Sequence, residues 1–214
     1  IYKRYNISFF FGGGDDIQLY KLLKATNPGV YVDIGCWHPV KASNTYFFNL
    51  RGWKGICIDP NPELKKMFDF FRPQDNFVNC AVGLNEGKLS YYQMNDTYSA
   101  MNTLNPAFLE KHNLESHVKK VTDIPIYNLK TILDNNIKNG DRLDFFDIDV
   151  EGLDLEVLKS NDWIKYRPKV ILVESSVSLQ HDINSEIVNY LQSEDYRLVA
   201  KSVIYGDLGN LFLM

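Results

Sequence analysis

The apolar positions of this chain fall into two alternating patterns. Solid runs of strand length occupy residues 30–35 (VYVDIG), 55–59 (GICID), 77–82 (FVNCAV), 143–150 (LDFFDIDV) and 169–174 (KVILVE). Spaced stripes at helical period lie between them. The first covers 43–50, with Ser43 or Asn44 as cap and Gly52 as stop. The second is Leu64, Met67, Phe68 and Phe71 behind Asn61-Pro62-Glu63, which reads as a cap, a first-turn proline and a first-turn acid. Further stripes are Leu129, Ile132, Leu133 and Ile137 up to Gly140, then Leu153, Val157 and Leu158, then Ile183, Ile187 and Leu191 behind a capping Asp182. Residues 88–94 alternate like an added edge strand, and 196–205 with 208–214 read as a final hairpin. Such alternation predicts an α/β fold: a mostly parallel sheet with helices on both faces, closed by an antiparallel C-terminal hairpin.

Residues 95–123 are the least regular stretch. They are polar, carry His112 and His117, show helix signals only around 106–114, and read as an insertion over the site on the substrate side. Gly12-Gly13-Gly14 separates an N-terminal arm (1–14) from the body, and the whole of 1–214 reads as one domain.

Composition narrows the function classes. Hydrophobic residues make up 45% and charged residues 23%, which excludes disorder, collagen and coiled coil. The net charge of −4 lacks the basic surplus of a nucleic-acid binder. No apolar run reaches the roughly 18 residues of a membrane span; residues 7–11 and 170–173 are the strongest short runs. Cys36, Cys57 and Cys80 cannot all pair and sit in or beside apolar runs, so they read as reduced core thiols of a cytoplasmic protein. No CxxC or Cys/His cluster suggests zinc.

In open parallel sheets ligands bind at the carboxyl ends of the strands. The first run ends in Asp33-Ile34-Gly35-Cys36-Trp37-His38-Pro39: the glycine admits a ligand to the backbone, and Asp33 can accept from an ammonium. The second run ends in Asp59, placed to accept both hydroxyls of a ribose. A nucleoside cofactor needs this pairing. A dinucleotide would want GxGxxG, and the later glycines are absent, with Trp37 and Pro39 in their place. S-adenosylmethionine carries no pyrophosphate, and its cationic sulfonium suits acids. The fourth run supplies them as Asp147, Asp149 and Glu151, with Glu174 ending the fifth; carboxylates gathered there repel unless a cation joins them. Helix capping is the plain alternative for Asp149 and Glu151, and a divalent metal held by Asp147, Asp149 and Glu174 stays open.

The pieces GDDIQLY (14–20), VDIGCWHP (32–39), SNTYFF (43–48), GWKGICIDPNP (52–62), NCAVG (79–83) and DIDVEGLDLEVL (147–158) together resemble the FkbM family of S-adenosylmethionine-dependent methyltransferases. The last piece is the most specific, since the family's fourth strand typically reads hydrophobic-D-V-E-G. The resemblance covers about 15–214. It implies a class I methyltransferase (Rossmann-like) fold with a seven-stranded sheet, and O-methylation of a hydroxyl on a sugar or other small biosynthetic intermediate. It implies that Asp33 and Gly35 line the methionine end of the cofactor, Asp59 and Pro60 the ribose, and Cys80-Ala81-Val82 the adenine. Cys36, Asn44 and Asp147 join the cofactor-binding set through the same motifs, and Asp149 and Glu151 face methyl transfer. Two departures stand out: Pro39 replaces a glycine, which sends the first loop along another path, and Asp147 stands where the family more often has a non-acidic residue.

In-line methyl transfer to a hydroxyl needs a positioned acceptor and a base. Asp149, Glu151 and His38 are the candidate catalytic groups, His38 for its titration near neutrality; His181 has a weaker claim. Tyr91, Tyr92 and Tyr98 could line a sugar. The competing functions are an N-methyltransferase, a non-catalytic module that only binds the cofactor, and a nicotinamide-dependent reductase, which the missing glycines disfavour.

Overall fold

The computed structural model describes residues 14–24, 27–138 and 142–214; most of the N-terminal arm with its glycine tract, and the Gly140 helix stop, lie outside the described residues. The chain runs α1 (Asp15–Leu23), β1 (Val30–Ile34), α2 (Tyr46–Asn49), β2 (Lys54–Ile58), α3 (Lys65–Phe71), β3 (Asn76–Val78), β4 (Ala81–Val82) and β5 (Gly87–Met94). It continues through α4 (Pro106–His112), β6 (Val118–Tyr127), α5 (Leu129–Asn136), β7 (Leu143–Ile148), α6 (Asp154–Lys159), β8 (Val170–Ser175), α7 (Leu179–Asp182), α8 (Glu186–Ser193), β9 (Leu198–Lys201) and β10 (Gly209–Leu213).

Seven strands form one sheet in the order β3-β2-β1-β7-β8-β10-β9. β1, β2, β3, β7 and β8 run parallel, and β10 pairs antiparallel with both β8 and β9. This is the seven-stranded, mostly parallel arrangement with an antiparallel hairpin that the resemblance implied. Strand side chains alternate between two cores, as the pleat requires. Val32, Ile34, Ile56, Ile58, Phe146 and Ile148 face α5, α6 and α8. Tyr31, Cys57, Phe145, Leu172 and Phe212 face α1, α2 and α3. The order reverses between β1 and β7, so the ligand-binding crevice is expected above their carboxyl ends.

Four expectations need correction. The run 77–82 is two strands: β3 stays in the main sheet, while β4 joins a second, three-stranded sheet with β6 and β5. The stretch 95–123 is not loop to its end, because β6 begins at Val118. Only Ile124 and Ile126 of β6 are buried, and Pro125 interrupts the run, so its pattern is weak. The helix expected at 43–50 is a single turn, Tyr46–Asn49; Ser43 Oγ accepts from the Tyr46 N–H at 3.2 Å and also from Arg72, while the Thr45 hydroxyl donates to Asp33. Asp182 does not cap the helix through Leu191; Ser185 does, accepting from the Val188 N–H, and Asp182 pairs with Lys201 at 2.7 Å in a buried salt bridge. Cys36, Cys57 and Cys80 are free and buried. No helix among the described residues is long and apolar enough to cross a membrane.

Candidate active site

An open cleft of about 580 Å³, its mouth included, lies over the ends of β1, β2 and β7 and is walled on the far side by residues 99–104. Its first element is the turn after β1. Gly35 has φ +85°, and a Cβ there would fall 1.8 Å from the Asp149 carbonyl oxygen. The Asp149 N–H donates to the Ile34 carbonyl at 3.0 Å. The glycine therefore makes room for the chain leaving β7, and this contact locks Asp149 beside the β1 turn. The turn continues with Trp37 at φ +35°. The Trp37 N–H donates to Asp59 Oδ2 at 3.0 Å, and the Asn61 N–H donates to Asp59 Oδ1 at 2.8 Å.

Asp59 thus lines the cleft at a fixed angle. Burial pushes its carboxyl up to about 7, against the two backbone donors, and Asp33 adds to the rise. No cation among the described residues forms an ion pair with it. Each carboxylate oxygen keeps a lone pair beyond its backbone bond, which suits two adjacent hydroxyls. Ile58, Ala81, Val82 and Leu153 form the apolar surface beside it.

The opposite wall is acidic. Asp149 sits on the cleft floor, open to solvent from above and enclosed by protein below. Burial raises its carboxyl well above the usual range, and Glu174, Glu151 and Asp154 add to the rise. Glu151 follows in the left-handed region at φ +54°, with Gly152 at φ +91°. Asp154 holds this turn by accepting from the Val150 N–H at 3.1 Å. A non-glycine residue in that conformation costs on the order of 1 kcal/mol or more, and such strain concentrates at functional sites. Burial, then Glu174 and Asp154, push Glu151 up to about 8. Burial and Asp154 push Glu174 up to about 7.

The family model described as "Methyltransferase FkbM domain" matches residues 29–198. The chain belongs to the FkbM methyltransferase family. No curated protein matches it. Among solved structures it is similar to precorrin-6y C5,15-methyltransferase from Geobacter metallireducens, at 13% identity over 92% of this chain and 85% of that one, with a TM-score of 0.47. A putative RNA methyltransferase from Pyrococcus horikoshii gives 10% identity, 94% and 80% coverage and a TM-score of 0.46. Burkholderia thailandensis 1,6-didemethyltoxoflavin-N1-methyltransferase, solved with 1,6-didemethyltoxoflavin and S-adenosylhomocysteine, gives 11% identity, 93% and 74% coverage and a TM-score of 0.42.

In this FkbM domain the candidates named from sequence separate into two groups. Gly35, Asp59, Pro60, Cys80, Ala81, Asp149 and Glu151 line the cleft together, with Trp37 and Tyr91. Asp33, Cys36, Asn44 and Asp147 do not line it. Asp33 and Asp147 are register partners on β1 and β7 and point to the face that carries α1, α2 and α3. Asp147 accepts a 3.4 Å hydrogen bond from Asn44 Nδ2. Burial raises Asp147 well above the usual range, with Asp33 next in effect. Among the described residues no group of three His, Cys, Asp or Glu side chains is arranged to hold a metal ion.

His38 is engaged by its own loop. Its Nδ1 accepts from the Val40 N–H at 3.0 Å and the Lys41 N–H at 2.9 Å. The lone-pair nitrogen is therefore occupied by backbone, and Nε2 carries the hydrogen. Burial, with Lys41, lowers its pKa. The ring holds its own loop, and its Nδ1 lone pair is taken up by the two backbone donors. Of the tyrosines, Tyr91 lines the cleft, whereas Tyr98 stacks on His117 at 4.1 Å and Tyr92 packs with Met94 and Leu109. His181 lies on α7 within 2.7 Å of Ser178 Oγ.

Sequence reasoning missed Arg72. Its side chain is wholly buried. Nε donates to Asp75 Oδ2 at 2.6 Å and Nη2 to the Tyr31 hydroxyl at 2.6 Å. Nη1 donates to Thr45 Oγ1 at 3.0 Å, Ser43 Oγ at 3.2 Å and the Pro39 carbonyl at 3.4 Å. Thr45 in turn donates its hydroxyl to Asp33 Oδ2. The signal was present: positions 64, 68 and 72 share one helical face, and the first two are buried. The exposed Phe71, assigned to the stripe from sequence, lies off that face.

Proposed function

We propose that the protein is an S-adenosylmethionine-dependent methyltransferase that methylates a hydroxyl of a sugar or other small biosynthetic intermediate in the cytoplasm, with 1–214 acting as one domain. The observation that carries the reading is the cleft at the β1/β7 switch point of an FkbM domain, with a buried, cation-free Asp59 on one side and the acidic wall of Asp149 and Glu151 on the other. Asp59 fits a ribose, and the apolar surface at Ile58, Ala81 and Val82 fits an adenine.

The bound cofactor supplies a methyl group on a positively charged sulfur. The chain's own work is to place the acceptor and take its proton. Glu151, at about 8, is matched to proton abstraction near neutrality. Asp149 lies at the same wall and favours positive charge developing or residing there. Residues 99–104 close the cleft opposite, so the proposed substrate-side insertion would select the acceptor. Three free buried thiols are consistent with a reducing compartment.

The test is calorimetric titration with S-adenosylmethionine, S-adenosylhomocysteine and NAD, with and without magnesium, followed by a methyl-transfer screen over sugars and amines. The expected result is micromolar binding of both sulfur compounds, none of NAD, no magnesium requirement, and transfer to hydroxyls. A folded sample that binds neither sulfur compound refutes the reading. Transfer to amines alone refutes O-methylation.

A further inference from the structure

We propose that Arg72 is a positioning residue for the cofactor cleft, its buried guanidinium fixing the loop 37–45 and, through the Trp37 N–H, the Asp59 carboxylate in the arrangement that binding requires. The proposal rests on reading the cleft as a site for S-adenosylmethionine.

An apolar side chain at position 72 would continue the stripe of Leu64 and Phe68 without the desolvation cost that a buried guanidinium carries. What the arginine provides is a fork. One edge is anchored in the framework: Asp75, which also accepts from the Gly55 N–H at 2.8 Å and the Tyr31 hydroxyl at 2.7 Å. The other edge reaches the loop after β1 at Pro39, Ser43 and Thr45. That loop is continuous with Trp37, whose N–H orients Asp59 at the cleft. Its path rests on side-chain bonds, the Val40 and Lys41 N–H groups donating to His38 and Arg72 donating to Ser43 and Thr45. The same fork approaches Asp33, with Nη1 at 3.9 Å from Oδ2 and Thr45 bridging them.

Asp33 is held in a balance of charges. Asp147 faces it from β7, Arg72 and Asp75 from beyond α3, Cys57 and Asp59 from β2 and its end, and Cys36 and Thr45 from the loop. Burial raises its carboxyl, while Arg72 and the Thr45 hydroxyl lower it.

The test uses the full chain, calorimetric titration with S-adenosylhomocysteine, and circular dichroism as the check of folding. Arg72→Lys keeps the charge beside Asp75 and loses the fork. Should it not fold, Ser43→Ala/Thr45→Val cuts the fork from the loop and leaves the Arg72–Asp75 pair in place. Affinity is expected to fall about tenfold, the effect of one lost hydrogen bond to a charged group. Thr45→Ser, which keeps the hydroxyl that accepts from Arg72, should bind as wild type does. Wild-type affinity in the double variant, with only a lowered melting temperature, would overturn the proposal and make the network a fold element. Absence of binding by the wild type fails the cofactor reading itself and removes the proposal with it.

Discussion

Replacing Glu151 by Gln should make the protein more stable at high pH and nearly inactive. The side chain is half-buried between Glu174 and Asp154, and its carboxyl rises from an ordinary 4.5 to about 8. An acid with a raised folded-state pKa holds its proton more tightly folded than unfolded. Stability is then fullest below 4.5, declines as pH rises toward about 8, and stays reduced beyond. The full displacement corresponds to roughly 4–5 kcal/mol disfavouring the ionised form. Solvent reaches the group through the cleft, so about 2 kcal/mol is the expected measurable share. Urea unfolding at pH 4 and pH 9 tests this: the two proteins should match at pH 4, and Glu151→Gln should be about 2 kcal/mol more stable at pH 9. Methyl transfer should fall by about 10²–10⁴, the usual share of a general base. A variant less stable at pH 9, or one with the same stability difference at both pH values, would refute the electrostatic account. Retained transfer would refute the base assignment.

Three other substitutions probe separate parts of the argument. Gly35→Ala places a Cβ 1.8 Å from the Asp149 carbonyl at a left-handed φ, and urea unfolding should show a loss of about 3 kcal/mol; a loss under about 1 would mean the two loops separate freely. His38→Asn offers an acceptor oxygen to the same turn, so the pH profile of methyl transfer should match wild type; loss of the profile's acidic limb would restore His38 as base. Lys201→Met leaves Asp182 buried without its partner and should cost about 3–5 kcal/mol, much of it recovered by adding Asp182→Leu; no loss in the single variant would show that Asp182 finds water.

What the sequence disclosed follows from how each signal arises. The parallel strands are buried on both faces, so they read as solid apolar runs, and the helices between them show one-sided stripes. β6 escaped because it packs only Ile124 and Ile126 inward and carries Pro125. The break at Asn79 escaped because the apolar pattern runs through it; the division is made by hydrogen bonds, Asn79 Nδ2 to the Asp59 carbonyl and the Asp59 N–H to the Val78 carbonyl. For the cleft, motif order located Gly35, Asp59, Asp149 and Glu151, but side-chain direction was beyond reach. Asp33 and Asp149 both mark strand ends, yet one points behind the sheet and the other into the cleft. His38 looked reactive because residue type is visible and its hydrogen-bond partners are not.

The two acidic groups at this end of the sheet are managed by opposite means. Behind the strands, Arg72 sits among Asp33, Asp75 and the hydroxyls of Tyr31, Ser43 and Thr45, and its charged neighbours outweigh the burial that opposes its charge. A fixed cation makes that region a framework with a defined shape. In the cleft, Asp149, Glu151 and Glu174 have no such cation among the described residues, and their carboxyls rise instead. Such a wall gives up stability at neutral pH that a lysine or arginine would restore, and filling it with one would occupy the space where a cationic cofactor and its acceptor meet. The unneutralised wall is therefore the part of the fold whose energetics favour a bound positive charge, while the network behind the strands reaches the loop whose Trp37 N–H holds Asp59.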